Sequence, residues 1–171
     1  MTIILLGYMA SGKSSVSKLL GTELELPVLD LDDYIEMKEE KTIPEIFETK
    51  GEIYFRMKEH QYLKEVLETK EPMILSLGGG TPCYANNMKL IHEYTQQTFY
   101  LQTSIPEIIN RVKDEKAKRP LISEIANEDL PEFIGKHLFE RNAFYQQATH
   151  SILTDQKTIE SLVEEIKTQL D

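Results

Sequence analysis

Residues Gly7–Ser14 read Gly-Tyr-Met-Ala-Ser-Gly-Lys-Ser, directly behind the apolar run Thr2-Ile3-Ile4-Leu5-Leu6. The spacing Gly-x4-Gly-Lys-Ser between a predicted strand and a predicted helix is the P-loop pattern, which a strand–turn–helix unit presents. Gly7 and Gly12 permit a tight turn, so that the backbone N–H groups along Ala10, Ser11, Gly12, Lys13, Ser14 and Ser15 surround a phosphate. The helix opening near Lys13 directs its positive dipole end at the same anion. Lys13 reaches the outer phosphates and the Ser14 hydroxyl suits Mg²⁺. Val16, Leu19 and Leu20 give that helix its apolar stripe. The expectation is a chain that binds a nucleoside triphosphate with Mg²⁺.

Further apolar runs alternate with helical patterns. Strands are predicted at 2–6, 27–29, 73–77, 98–101 and 151–153. Helices are predicted near 13–20, 33–40, 44–49, 52–69, 86–94, 105–112, 131–148 and 158–170. Thr42-Ile43-Pro44-Glu45 has the spacing of a capping box with Pro in the first turn, and Pro106 and Pro131 suit the same position. This alternation predicts an α/β fold: a three-layer α/β/α sandwich around a five-stranded parallel sheet, of the P-loop NTPase type with a mobile lid. One domain is expected over residues 1–171, with the lid at approximately 113–127. Ligands of such sheets bind beyond the carboxyl ends of the strands, so polar residues at strand ends carry the most information.

Charge and composition narrow the partners. With 19 Lys and Arg against 29 Asp and Glu, the net charge is -10. That balance argues against nucleic acid or an anionic membrane as partner, since both select a basic face. No apolar run approaches the ~20 residues of a membrane span. The first residues lack a basic leader, and Cys83 is the sole cysteine. A cytoplasmic monomer is the expectation, with Cys83 a small, partly buried side chain.

The second predicted strand ends in Asp30-Leu31-Asp32-Asp33. Strand alternation puts Asp30 and Asp32 on one side. Two carboxylates beside a P-loop divide two tasks: one joins the Mg²⁺ shell, the other accepts a proton from an attacking hydroxyl. The alternative is that Asp32 and Asp33 cap the next helix. The third strand ends in Gly78-Gly79-Gly80 where ATPase motors carry an aspartate, which makes Asp30 the acidic Mg²⁺ candidate. The glycines allow close backbone approach to a ligand, or mark a plain tight turn. Of the 19 basic residues only four are arginine, Arg56, Arg111, Arg119 and Arg141. A planar, bidentate fork suits carboxylate or phosphate recognition, and these four are the candidates for it. Phe47 and Phe55 suit either a pocket wall or the core. His60, His92, His137 and His150 lack metal-ligand spacing and read as solvated or capping residues.

In order along the chain, six segments resemble the shikimate kinase family: Gly7–Ser14, Asp30-Leu-Asp32, Gly51-Glu-x-x-Phe-Arg56, Ser76-Leu-Gly-Gly-Gly80, Arg119-Pro-Leu and Arg141 in the long helix. The resemblance implies ATP-dependent phosphorylation of the shikimate 3-hydroxyl, with Mg²⁺, on the route to chorismate and aromatic amino acids. It implies Ser14 and Asp30 for the metal, and Asp32 as the group that holds the acceptor hydroxyls and acts as, or orients, the base. Arg56 and Arg141 would clamp the shikimate carboxylate, with Gly78, Gly79 and Gly80 lining that pocket. Arg119 would swing over the phosphates from the lid. Arg111 would lie against the adenine, with Thr154, Asp155 and Gln156 in the adenine loop.

Two rivals remain at this level. Another small-metabolite kinase, such as a gluconate kinase, shares the P-loop and the fold class. A nucleotide-dependent switch shares the P-loop, but an Asn-Lys-x-Asp guanine signature is absent from the sequence.

Overall fold

Thr2–Leu6 shows no polar alternation because both of its faces are covered. In the computed structural model, which describes residues 1–170, this segment is the middle strand of the sheet. The chain runs β1 (Thr2–Leu6), α1 (Lys13–Leu24), β2 (Val28–Asp30), α2 (Leu31–Glu39), α3 (Ile43–Lys50), α4 (Glu52–Glu68) and β3 (Met73–Ser76). It continues through α5 (Asn87–Tyr94), β4 (Thr98–Gln102), α6 (Ile105–Val112), α7 (Leu130–Tyr145), β5 (His150–Leu153) and α8 (Ile159–Lys167). The five strands lie in the order β2-β3-β1-β4-β5 and every pairing is parallel.

Alternate residues of each inner strand feed two cores. Ile4, Leu6, Leu75 and Tyr100 face the layer built from α2 to α7. Ile3, Leu5, Ile74, Phe99 and Leu101 face α1 and α8, where Val16, Leu20, Leu162, Val163 and Ile166 meet them. Continuous apolar strands are what a doubly covered parallel sheet requires.

The predicted capping box is present: Thr42 accepts from Glu45 N, and the Glu45 carboxylate accepts from Thr42 N. Pro44, Pro106 and Pro131 all lie in first turns. One boundary differs in a way that matters. The helix expected from residue 33 begins at Leu31, because Asp30 caps it; Asp30 Oδ1 accepts from Asp32 N at 2.9 Å and Asp33 N at 3.4 Å. Asp30, not Asp32 or Asp33, is therefore the capping residue. Asp30 and Asp32 are neighbours across a cap rather than alternate residues of a strand. α7 also ends at Tyr145 and α8 at Lys167, each short of the predicted limit.

Between α6 and α7, residues 113–129 form turns and two short 3₁₀ segments, Lys116–Lys118 and Asn127–Asp129. The buried side chain of Ile122 anchors this segment to the larger core.

Candidate active site

β1, β2 and β3 all end at one edge of the sheet, and their carboxyl ends open on a cavity of about 1160 Å³. The loop between β1 and α1 forms one wall. Gly7 has φ 154°, and a Cβ there would lie 2.7 Å from Leu101 O, so no larger residue fits. Gly12, at φ 91°, turns the chain into α1. Ala10 through Ser15 line the cavity together with Asp30, Asp32, Arg111, Arg119 and Arg141. Lys13 Nζ donates to Gly7 O at 2.8 Å and Tyr8 O at 3.0 Å, which holds the ammonium inside the curve of the loop.

Loss of water dominates the site's electrostatics. Burial pushes Lys13 down to about 8, although Asp32 and Asp30 favour its charged form. Burial likewise pushes the Asp32 carboxyl up to about 7; Asp30 and Glu59 add to the rise, while Lys13 and Arg56 oppose it. Asp30 is also raised by burial, partly offset by its two backbone hydrogen bonds. These are the conditions under which a carboxyl group works as a base near neutral pH.

The glycine triplet has a function that the sequence reading did not identify. None of the three has positive φ, so the plain tight turn is not their reason. A Cβ on Gly78 would lie 2.6 Å from Asp32 Oδ1. On Gly79 it would lie 3.1 Å from Arg141 Nη1, and on Gly80 2.7 Å from Arg56 Nη2. Each glycine makes room for one candidate side chain. Protein side chains approach all three closely, and the same glycines line the cavity.

Arg56 lies in a smaller recess of about 150 Å³ that shares Asp32, Phe47 and the glycines with the main cavity. Its Nη1 donates to Glu59 Oε2 at 2.9 Å, and Thr81 Oγ1 donates to Glu59 Oε1 at 2.7 Å. Phe47 lines both spaces, while Phe55 is buried and borders the recess, so each serves pocket and core. Arg141 lies 6.0 Å from the centroid of Tyr8, whose hydroxyl is hydrogen-bonded to His137 Nδ1 at 2.9 Å.

Arg111 Nη1 donates to Ala10 O at 2.9 Å and its Nε to Glu107 Oε1 at 2.8 Å, which fixes it against the P-loop. Asp155 accepts from the backbone and hydroxyl of Ser104, and Thr154 is hydrogen-bonded to Thr103 at 2.6 Å. Thr154, Asp155 and Gln156 thus stand beside the end of β4, outside the cavity wall, to which Ile159 contributes instead. Arg119 is tethered only loosely, 3.4 Å from Glu115 Oε2.

Ser14 and Asp30, the proposed metal ligands, both line the cavity. Ser76 was overlooked. It pairs with Asp30 in the β2–β3 register, and its buried hydroxyl makes no hydrogen bond among the described residues. An unpartnered hydroxyl beside a half-buried carboxylate is a donor set of hard oxygens, which fits Mg²⁺; that ion takes few protein ligands and keeps waters and phosphates. The signal in sequence was a lone polar residue within an apolar strand. Glu59 gave no signal, since nothing distinguishes it from the solvated glutamates around it.

The histidine expectation needs correction. His60 is bonded to Asn87, His92 to Gln147 O and His137 to Tyr8, while His150 stacks on Phe99. Cys83 is partly buried as expected, and burial pushes its thiol up to about 11.

Comparison with known proteins decides the family. The family model for shikimate kinase matches residues 9–171. The shikimate kinase of Flavobacterium psychrophilum is 47% identical over 164 residues, covering 96% of this chain and 95% of that protein. The chain belongs to the shikimate kinase family. The crystal structure of shikimate kinase from Bacteroides thetaiotaomicron superposes with a TM-score of 0.91 at 34% identity, covering 99% of this chain and 97% of that one. The Acinetobacter baumannii shikimate kinase, solved in complex with shikimate, gives 0.86 at 31% identity, covering 98% and 91%. A gluconokinase from Sinorhizobium meliloti gives 0.56 at 16% identity, covering 96% of this chain and 88% of that one, a likeness of fold alone. Among shikimate kinases, then, this chain's P-loop and glycine-triplet segments lie in a fold shared over nearly the whole chain.

Proposed function

We propose that the protein transfers the γ-phosphoryl group of ATP to the 3-hydroxyl of shikimate, giving shikimate 3-phosphate and ADP. The observation that carries this reading is the cavity itself, where a P-loop faces Asp32, Arg56 and Arg141 packed against three consecutive glycines.

The P-loop N–H groups and Lys13 hold the phosphates. Arg56 and Arg141 bind the acceptor's carboxylate, and Asp32 holds its hydroxyls. Phosphoryl transfer depends on alignment and charge neutralisation more than on covalent help. As the acceptor oxygen bonds to phosphorus, its O–H breaks and Asp32 takes the proton. The phosphorus–oxygen bond to ADP breaks and ADP carries away the electron pair. Lys13 and Arg119 neutralise the phosphate oxygens as charge shifts. Ser14 and Asp30, with the unpartnered Ser76 hydroxyl, would hold Mg²⁺. When bound, the ion supplies further neutralisation of the β- and γ-phosphates.

Residues 113–127 act as the lid. Arg119, Pro120 and Leu121 of this segment line the cavity, and Ile122 gives it a buried anchor about which to close. Closure excludes water, the competing acceptor. Arg111 flanks the nucleotide, with Asp155 and Gln156 behind it. The acidic chain binds two anions because its cations converge on this cavity, so the local field differs in sign from the whole. No described helix is long and apolar enough to cross a membrane.

A coupled assay of ADP release with shikimate, with gluconate and without acceptor tests the reading. ADP formation that depends on shikimate is expected. Formation that ignores it, or that prefers gluconate, overturns the assignment.

A further inference from the structure

The turn after the glycines closes over Arg56. Gly80 leads into a 3₁₀ turn, Thr81–Cys83, and Tyr84 follows it. The Tyr84 ring centroid lies 3.9 Å from Arg56 Cζ, a separation that brings the guanidinium against the face of the ring. The Phe55 centroid is 5.1 Å from the same carbon. The guanidinium occupies the space that a Cβ on Gly80 would fill. Glu59 takes Nη1, while Nε makes no hydrogen bond among the described residues and lies 3.8 Å from the exposed carboxylate of Glu52.

One hydrogen bond at Nη1 and a long ion pair at Nε hold a guanidinium in place without fixing its plane. A fork that must meet a carboxylate through two parallel N–H···O bonds needs its plane fixed as well. The aromatic face supplies that restraint. Tyr84 does not line the cavity or the recess, and the site residue its ring touches is Arg56. We infer that Tyr84 is a positioning residue for acceptor recognition, fixing the plane of the Arg56 guanidinium by stacking. The inference rests on the reading of Arg56 as a ligand of the acceptor carboxylate.

The test is steady-state kinetics of the wild type, Tyr84→Phe, Tyr84→Leu, Arg56→Lys and the Tyr84→Leu/Arg56→Lys double variant, each with its unfolding midpoint. Tyr84→Leu removes the aromatic face and should raise KM for shikimate about tenfold, leaving kcat and KM for ATP within about twofold. Tyr84→Phe keeps the face and should restore the wild-type KM. In the Arg56→Lys background, where no planar fork remains, Tyr84→Leu should add less than about twofold. A wild-type KM for Tyr84→Leu, failure of Phe to rescue, an equal rise in KM for ATP, or full additivity in the double variant overturns the inference. If Arg56→Lys itself leaves KM for shikimate unchanged, the carboxylate reading of Arg56 fails instead. Tyr84 is 38% exposed and outside both cores, so folding should survive; if Tyr84→Leu lowers the midpoint below the assay temperature, Tyr84→Met is judged by the same criteria.

Discussion

Asp32 occupies the position where burial and function conflict most directly. Its carboxyl is raised to about 7, first by burial and then by Asp30 and Glu59. A proton acceptor must be ionised, so kcat/KM for shikimate should fall as pH drops below about 7. That parameter reports groups of the free enzyme. Lys13, lowered to about 8 by burial, must keep its charge to hold phosphate, so kcat/KM for ATP should fall above about 8. The profile should therefore peak between the two values. Asp32→Asn should lower kcat by about 10²-fold or more and remove the acid limb from the residual activity. A variant with near-normal turnover would reduce Asp32 to a substrate-holding residue. Asp30, which caps α2 through one oxygen, is part of the same arrangement, because the cap sets where Asp32 enters the cavity.

At the scale of elements, the segment after β3 packs against the three side chains proposed to hold the acceptor. Because Gly78, Gly79 and Gly80 have ordinary φ values, alanine can adopt their backbone and the only cost is the added Cβ. Gly78→Ala should displace Asp32 and lower kcat about 10- to 100-fold, since misplacing a reacting group by about 1 Å has that order of effect. Gly80→Ala should displace Arg56 and raise KM for shikimate with little change in KM for ATP. The same parameter changing in both variants, kcat falling or KM for shikimate rising, would mean that the triplet acts as a unit. This division of labour was only partly legible in sequence. The Gly-x4-Gly-Lys-Ser run, the five strands to within a residue and the capping box all follow local rules. The packing of one side chain against each glycine joins α2, α4 and α7 to one loop. No local periodicity encodes a contact between residues so far apart in the chain. Asp30 was misread for a related reason: it is at once the last residue of β2 and the cap of α2, and the strand pattern does not show its side chain turning to the helix N–H groups. Ser76 and Glu59 were missed because their importance lies in burial.

For the molecule as a whole, the site costs stability in the ligand-free state. The sheet supplies two cores, and the groups that spoil packing or solvation are gathered at one edge of it. Between pH 4 and 7 the native Asp32 holds a proton that the unfolded chain releases. The native state binds more protons there, so this group makes stability fall as pH rises through that window, with the full penalty present above about 7. Lys13 acts with the opposite sign at higher pH: between about 8 and 10.5 the unfolded chain keeps a proton that the native state sheds, so stability rises with pH there. Together they place a minimum of stability near the pH at which the enzyme is expected to work best, the usual exchange of stability for activity. Asp32→Asn isolates one contribution. The variant should be close to wild type in stability near pH 4 and increasingly more stable as pH rises to 7, with no further gain from this group above that. Urea unfolding of both proteins without ligand, at several pH values, measures the difference. A stability difference that does not change with pH would mean that Asp32 ionises in the folded protein as readily as in the unfolded chain, and the acid limb of the rate profile would then need another source.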